Sequence, residues 1–221
     1  MANRFRTGFY PLDTQRTEYR IYPIMSANGT AVYVGDVVKA ITGTSTTVIG
    51  SVAPATATDY ATLVGTVVSL FDNGGTGAIP GQNAPNPVGN WASSVSTKYL
   101  PASTAGYALV AVAKSGTRFV ACSTNIATSG QAFINKSTAL VATAGSTTTA
   151  VSGHVLNMND GNGSYPAFLV LGPWNQLVAG GLGTGLGAGA LNDITLAGAL
   201  WVVEFGMGYG YAAGTVPSTG V

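Results

Sequence analysis

One histidine, His154, and one cysteine, Cys122, are the only imidazole and thiol in the sequence, so any nucleophilic or general-base chemistry must be built around very few groups. Such chemistry needs a hydroxyl or thiol beside a base that a third group orients. No Gly-x-Ser-x-Gly elbow surrounds any serine. Cys122 sits in a strand-like run with no helix start to lower its pKa, and it reads as a small buried hydrophobe. His154 follows Gly153 in a Ser/Thr-rich stretch and reads as a surface or edge-strand residue. The eight carboxylates are dispersed along the chain and offer no acid/base pair at a fixed spacing.

Metal and cofactor motifs fare no better. Residues 157–164, NMNDGNGS, approximate a calcium loop, but the ligand spacing fails and no closing glutamate follows; a hairpin turn is the expectation. Gly183-x-Gly185-x-x-Ala188 matches a dinucleotide fingerprint loosely, yet it neither follows a strand nor opens a helix. Sequons at Asn28, Asn135 and Asn162 matter only in a secreted protein. The expectation is a protein that is not an enzyme, with no catalytic set, no cofactor and no metal.

Composition points elsewhere. Charged residues make up 8% of the 221 residues, against about 25% in an ordinary soluble domain, and mean hydropathy is positive. A dispersed monomer with so few charges would expose too much apolar surface, which leaves a membrane protein or a subunit covered by neighbours. Apolar runs at 167–174 and 196–205 are too short for the roughly 20 residues of a membrane helix. The first residues carry Arg4 and Arg6 with no apolar stretch behind them, and no signal peptide is expected. Beyond Lys136 there is no Lys or Arg, so that region has nothing to neutralise phosphates. Neither a membrane nor a nucleic acid is an expected partner.

The elements that must position these residues are strands. Val, Thr, Tyr and Ile gather in short runs bounded by Gly, Asn, Asp and Pro, the signature of an all-β protein. Strands are expected at 17–24, 31–40 (entered through the Asn28-Gly29 turn), 46–52, 61–71, 95–100, 106–113 and 117–123. A Lys114-Ser115-Gly116 hairpin joins the last two. Shorter strands are expected at 132–134, 139–142, 152–157 and 167–171. A long strand at 195–208 carries Trp201, Val203 and Phe205 on one face.

The resulting architecture is a β-barrel, a β-tulip-like fold or a β-sandwich. It divides into an N-terminal arm (1–20), an N-terminal β region (21–72), a Gly/Pro/Asn-rich loop (73–93) and a C-terminal β region (94–221), the two β regions forming separate subdomains or one domain. In the arm, Arg4, Arg6, Arg16 and Arg20 alternate with Phe5, Phe9, Tyr10 and Tyr19. Arginine and aromatic side chains are the usual anchors of interfaces. These eight residues are the expected partner-binding set, and an edge strand of the chain's own domain is the alternative.

Five segments carry a resemblance: SANGTAVYVGDVV (26–38), LVGTVV (63–68), YLPASTAGYALVAV (99–112), TRFVAC (117–122) and GSTTTAVSGHVLN (145–157). In this order they are similar to a family of tailed-phage virion structural proteins, the capsid cement or decoration proteins. The chain departs from the family pattern at Lys114-Ser115-Gly116, where an acidic turn is usual, and in the Gly-rich segment 180–190. The resemblance implies a β-barrel or β-tulip-like subunit made in the host cytoplasm and placed on the capsid exterior, where it binds the major capsid protein. A homo-oligomer is expected, a trimer in preference to a dimer. The alternative is a head fibre or adhesin whose loops 73–93 and 177–192 bind host surface glycans, with Trp91 and Trp174 as ligands.

Overall fold

The structure is a computed structural model that describes residues 7–41, 50–72, 96–97, 99–124, 133–158, 166–174 and 197–206. Among these residues the chain is all-β, with no helix, and is built from a near-closed six-strand antiparallel barrel and a five-strand antiparallel sheet.

The barrel runs in the order β1 (Phe9–Pro11), β10 (Arg118–Cys122), β14 (Leu200–Phe205), β13 (Phe168–Pro173), β11 (Ser137–Ser146) and β12 (Val151–Asn157). Its ends nearly meet: the Gly8 amide donates to the His154 carbonyl at 3.0 Å, and Ser123 bridges Leu156 in parallel. Alternation along β14 drives this closure. Trp201, Val203 and Phe205 all point inward and are buried, as expected for one face of a pleated strand. They meet Phe119 from β10 and Phe168 from β13, and Phe9 stacks on Phe168 with centroids 4.7 Å apart.

The second sheet runs β2 (Tyr19–Ile24), β9 (Gly106–Val112), β6 (Leu63–Asp72), β4 (Val37–Ala40) and β5 (Val52–Pro54), with β7 (Ser96–Thr97) also paired to β6. As expected, β6 is a central strand. Its apolar run is tolerated because β9 and β4 flank it and both faces are largely covered. Gly65 is obligatory here, since an added Cβ would lie 2.0 Å from the Ala111 carbonyl oxygen. One core cluster combines Val37, Ala55, Leu63, Ala111 and Ala113 of this sheet region with the barrel interior, and a second lies under the sheet's other face.

Three local expectations need correction. Residues 31–40 are not one strand: β3 (Val32–Tyr33) pairs with β8 (Tyr99–Leu100), and a turn separates it from β4. Gly35 adopts φ +94° there, which a residue with a Cβ rarely takes up. Lys114-Ser115-Gly116 does form a turn, with the Thr117 amide donating to the Lys114 carbonyl at 2.9 Å. It is not a hairpin, because β9 and β10 belong to different sheets. Strands β12 and β13, on either side of 157–164, both pair with β11 and not with each other, so they do not make the expected hairpin; residues 159–164 themselves lie outside the described residues. In addition, Phe133 and Ile134 are not strand residues, since they lie in the helical turn that precedes β11, and Ala132 lies outside the described residues.

Candidate functional site

Among the described residues, the one cluster of buried polar groups that bears on chemistry lies where the barrel meets the five-strand sheet. Asp36, Ser152 and His154 are 2%, 1% and 3% exposed. Asp36 closes the turn between β3 and β4: its backbone amide donates to the Tyr33 carbonyl at 3.1 Å, and its Oδ2 accepts the Tyr33 amide at 2.8 Å. Ser152 and His154 alternate with Val151, Gly153 and Val155 on β12 and point into the barrel together with Leu156.

The two elements are joined across the interior. The Ser152 hydroxyl donates to Asp36 Oδ1 at 2.6 Å and accepts the His154 amide at 3.0 Å. His154 Nδ1 accepts the Val37 amide at 3.0 Å. With Nδ1 used as an acceptor, the ring proton must sit on Nε2, which lies 3.9 Å from Asp36 Oδ1. Burial raises the Asp36 carboxyl to about 7, with the hydrogen bonds from Ser152 and Tyr33 opposing the shift. Burial lowers the His154 imidazole to about 4.

Serine, aspartate and histidine are thus in contact, but in the wrong order for hydrolysis. A nucleophilic serine must give its proton to an imidazole that the carboxylate orients. Here Ser152 bonds to the carboxylate, and the imidazole nitrogen that could act as a base is already bonded to a backbone amide. The arrangement can hold two elements together and hold a proton. Around it, the Phe9 amide donates to the Gly35 carbonyl, the Gly35 amide to Val67, and the Val67 amide to Asp36. The turn therefore ties β1, β6 and β12 to one point.

His154 is on an edge strand of its sheet, as expected, but it is not a surface residue: the turn at Asp36 covers it. Cys122 is the buried strand hydrophobe that was expected, and burial pushes its thiol up to about 11. Among the described residues no group of three or more His, Cys, Asp or Glu is placed to hold a metal ion.

The expected partner-binding residues are dispersed. Arg4, Phe5 and Arg6 lie outside the described residues. Phe9 is fully buried in the chain's own core, on an edge strand of the barrel. Tyr10 is half-buried, and its hydroxyl donates to the Thr7 carbonyl at 2.9 Å. Arg16 is exposed and pairs with Asp13 at 3.5 Å, while the exposed Arg20 pairs with Glu18. Tyr19 is exposed on β2.

Register places Tyr19, Ile21 and Pro23 of β2 on the same sheet face as Ala111, Leu109 and Tyr107 of β9. Tyr19 and Ile21 are each 37% exposed, and Leu109 and Tyr107 are half-buried. Loops 73–93 and 177–192, with Trp91, fall outside the described residues; Trp174 is half-buried after β13. Comparison of the chain with protein-family models, with curated proteins and with solved structures finds no match.

Proposed function

We propose that the chain is a capsid decoration, or cement, protein of a tailed phage, binding the major capsid protein on the shell exterior as a homo-oligomer. The observation that carries this reading is the outer strip of the five-strand sheet, where Tyr19, Ile21, Tyr107 and Leu109 share one face at the edge strand β2. Low overall charge adds to it, because 8% charged residues leave an isolated monomer poorly dispersed. So does the resemblance of five segments, in their order along the chain, to the cement family.

A non-enzymatic role fits the buried Ser152–Asp36–His154 geometry, in which the hydroxyl has no free base beside it. Attachment then rests on burial of apolar surface, worth roughly 25 cal/mol per Å² before association costs. A patch of about 1,600 Å² suffices when many copies act on one shell.

Copy number in purified particles tests the reading. Hundreds of copies on the head exterior are expected, with attachment only weakly dependent on salt. A few copies at one site would favour the head-fibre reading, and absence from particles would end both. Replacing Ile21 and Leu109 by lysine should abolish occupancy while leaving the monomer folded. Full occupancy of that variant would remove the sheet strip from the interface.

A further inference from the structure

The Ser152–Asp36–His154 network crosses the junction of barrel and sheet, and its hydrogen bonds restrict where a proton can sit. Protonating His154 in place would set an Nδ1–H against the Val37 N–H, a donor facing a donor. The imidazolium form is therefore excluded while that bond stands. Among the described residues Asp36 faces only neutral donors: the Ser152 hydroxyl, the Tyr33 amide and the Nε2–H of His154. The hydroxyl of Ser152 can reverse its role and accept from a protonated Oδ1, so the carboxylic acid is accommodated without rearrangement.

Among the described residues, the packed elements contribute no compensating charge. From the turn itself comes the phenol of Tyr33, from β8 that of Tyr99 stacked on it at 5.5 Å, and from β1 that of Tyr10 beside Gly35. β6 presents backbone at Val67, and β11 presents Ala142 opposite His154. Among the described residues no Lys or Arg pairs with Asp36.

We propose that this network is a proton-relocating latch: in mild acid the proton that the unfolded chain would carry on His154 is carried in the folded chain on Asp36, so that the junction holds with constant strength as pH changes. A carboxylic acid and a neutral imidazole then share the site, with net charge zero.

The linkage supports it. In the folded chain Asp36 titrates at about 7 and His154 at about 4, against ordinary values of 3.8 and 6.5. The raised carboxyl alone would stabilise the fold below about 4, an effect lost as pH rises to about 7. The lowered imidazole alone would stabilise the fold above about 6.5, an effect lost as pH falls to about 4. Between about pH 4 and 6.5, where the two windows overlap, the slopes are opposite and cancel.

The single histidine makes the test direct. In the folded wild-type protein at pH 5, nitrogen and carbon NMR should show His154 as the neutral Nε2–H tautomer and Asp36 as a carboxylic acid that ionises near pH 7. An imidazole that titrates near 6.5, or an Asp36 ionised at pH 5, would overturn the proposal. Two variants separate the slopes, each referred to wild type at the same pH so that the other carboxylates cancel. Asp36→Asn should lose about tenfold in the folding constant per pH unit on acidification from 6.5 to 4, and His154→Asn about tenfold per unit on raising pH from 4 to 7. Parallel pH profiles for variants and wild type would also sink it.

Discussion

His154 Nδ1 and the backbone amide of Val37 are joined at 3.0 Å across 117 residues of chain, and this bond fastens the first strand after the Asp36 turn to the barrel wall. Removing the acceptor leaves a buried N–H unpaired, at about 1–3 kcal/mol. Asparagine can present an oxygen near the position of Nδ1, whereas alanine cannot. At pH 5, below the ionisation of Asp36, His154→Asn should cost about 1 kcal/mol and His154→Ala about 3 kcal/mol or more. Urea denaturation of the two variants side by side measures the gap; equal losses would show that the ring acts by packing alone.

Gly65 makes a sharper case. The Cβ that alanine adds would lie 2.0 Å from the Ala111 carbonyl oxygen and 3.0 Å from Val110, in the middle of the β6–β9 pairing. Backbone, not a flexible side chain, would have to move. Gly65→Ala should destabilise by more than about 3 kcal/mol. Gly29→Ala, with nothing within 4 Å of its Cβ position, should stay within about 0.5 kcal/mol of wild type. Thermal unfolding of both distinguishes a steric requirement from a general sensitivity to glycine loss.

Phe9 separates the arm from the core. Its ring is fully buried, stacks on Phe168 and meets Phe205 edge-on with centroids 6.5 Å apart. Phe9→Ala should therefore cost about 3–5 kcal/mol in the isolated protein, with no shell present. An unchanged unfolding midpoint would mean that Phe9 is held by a partner.

How far the sequence revealed this depends on whether a residue's partners were near in the chain. Trp201, Val203 and Phe205 were legible because alternation alone places them on one face. The break at Gly35 was not, since the apolar residues on either side continue a strand pattern and only Asp36 interrupts it. That lone carboxylate in an apolar run was the available signal for the site. On β12 the alternation was ambiguous: Val151 and Val155 argue for one face inward, Leu156 for the other. The structure chose the face of Ser152 and His154 because Asp36, 116 residues away from Ser152, supplies the partner that makes their burial tolerable. No local pattern carries that information.

Cys122 turns this burial into a clock for opening. The thiol is 2% exposed on β10, its sulfur lies 4.0 Å from the Ser123 carbonyl oxygen, and burial raises its pKa from 9.0 to about 11. Only the thiolate attacks a disulfide reagent, and at pH 8 the folded chain presents almost none of it, behind a closed wall. Labelling should then proceed through opened molecules, at least about 100-fold slower than in urea-unfolded chain. The raised pKa also fixes a sign: the stability tied to the neutral thiol is complete below about pH 9 and is lost as pH rises towards 11. Cys122→Ala removes that alkaline loss while giving up part of the side chain's packing, so its stability curve should flatten above pH 9 relative to wild type. Rapid labelling at pH 8 without denaturant would show that the β10–β14 wall opens on its own.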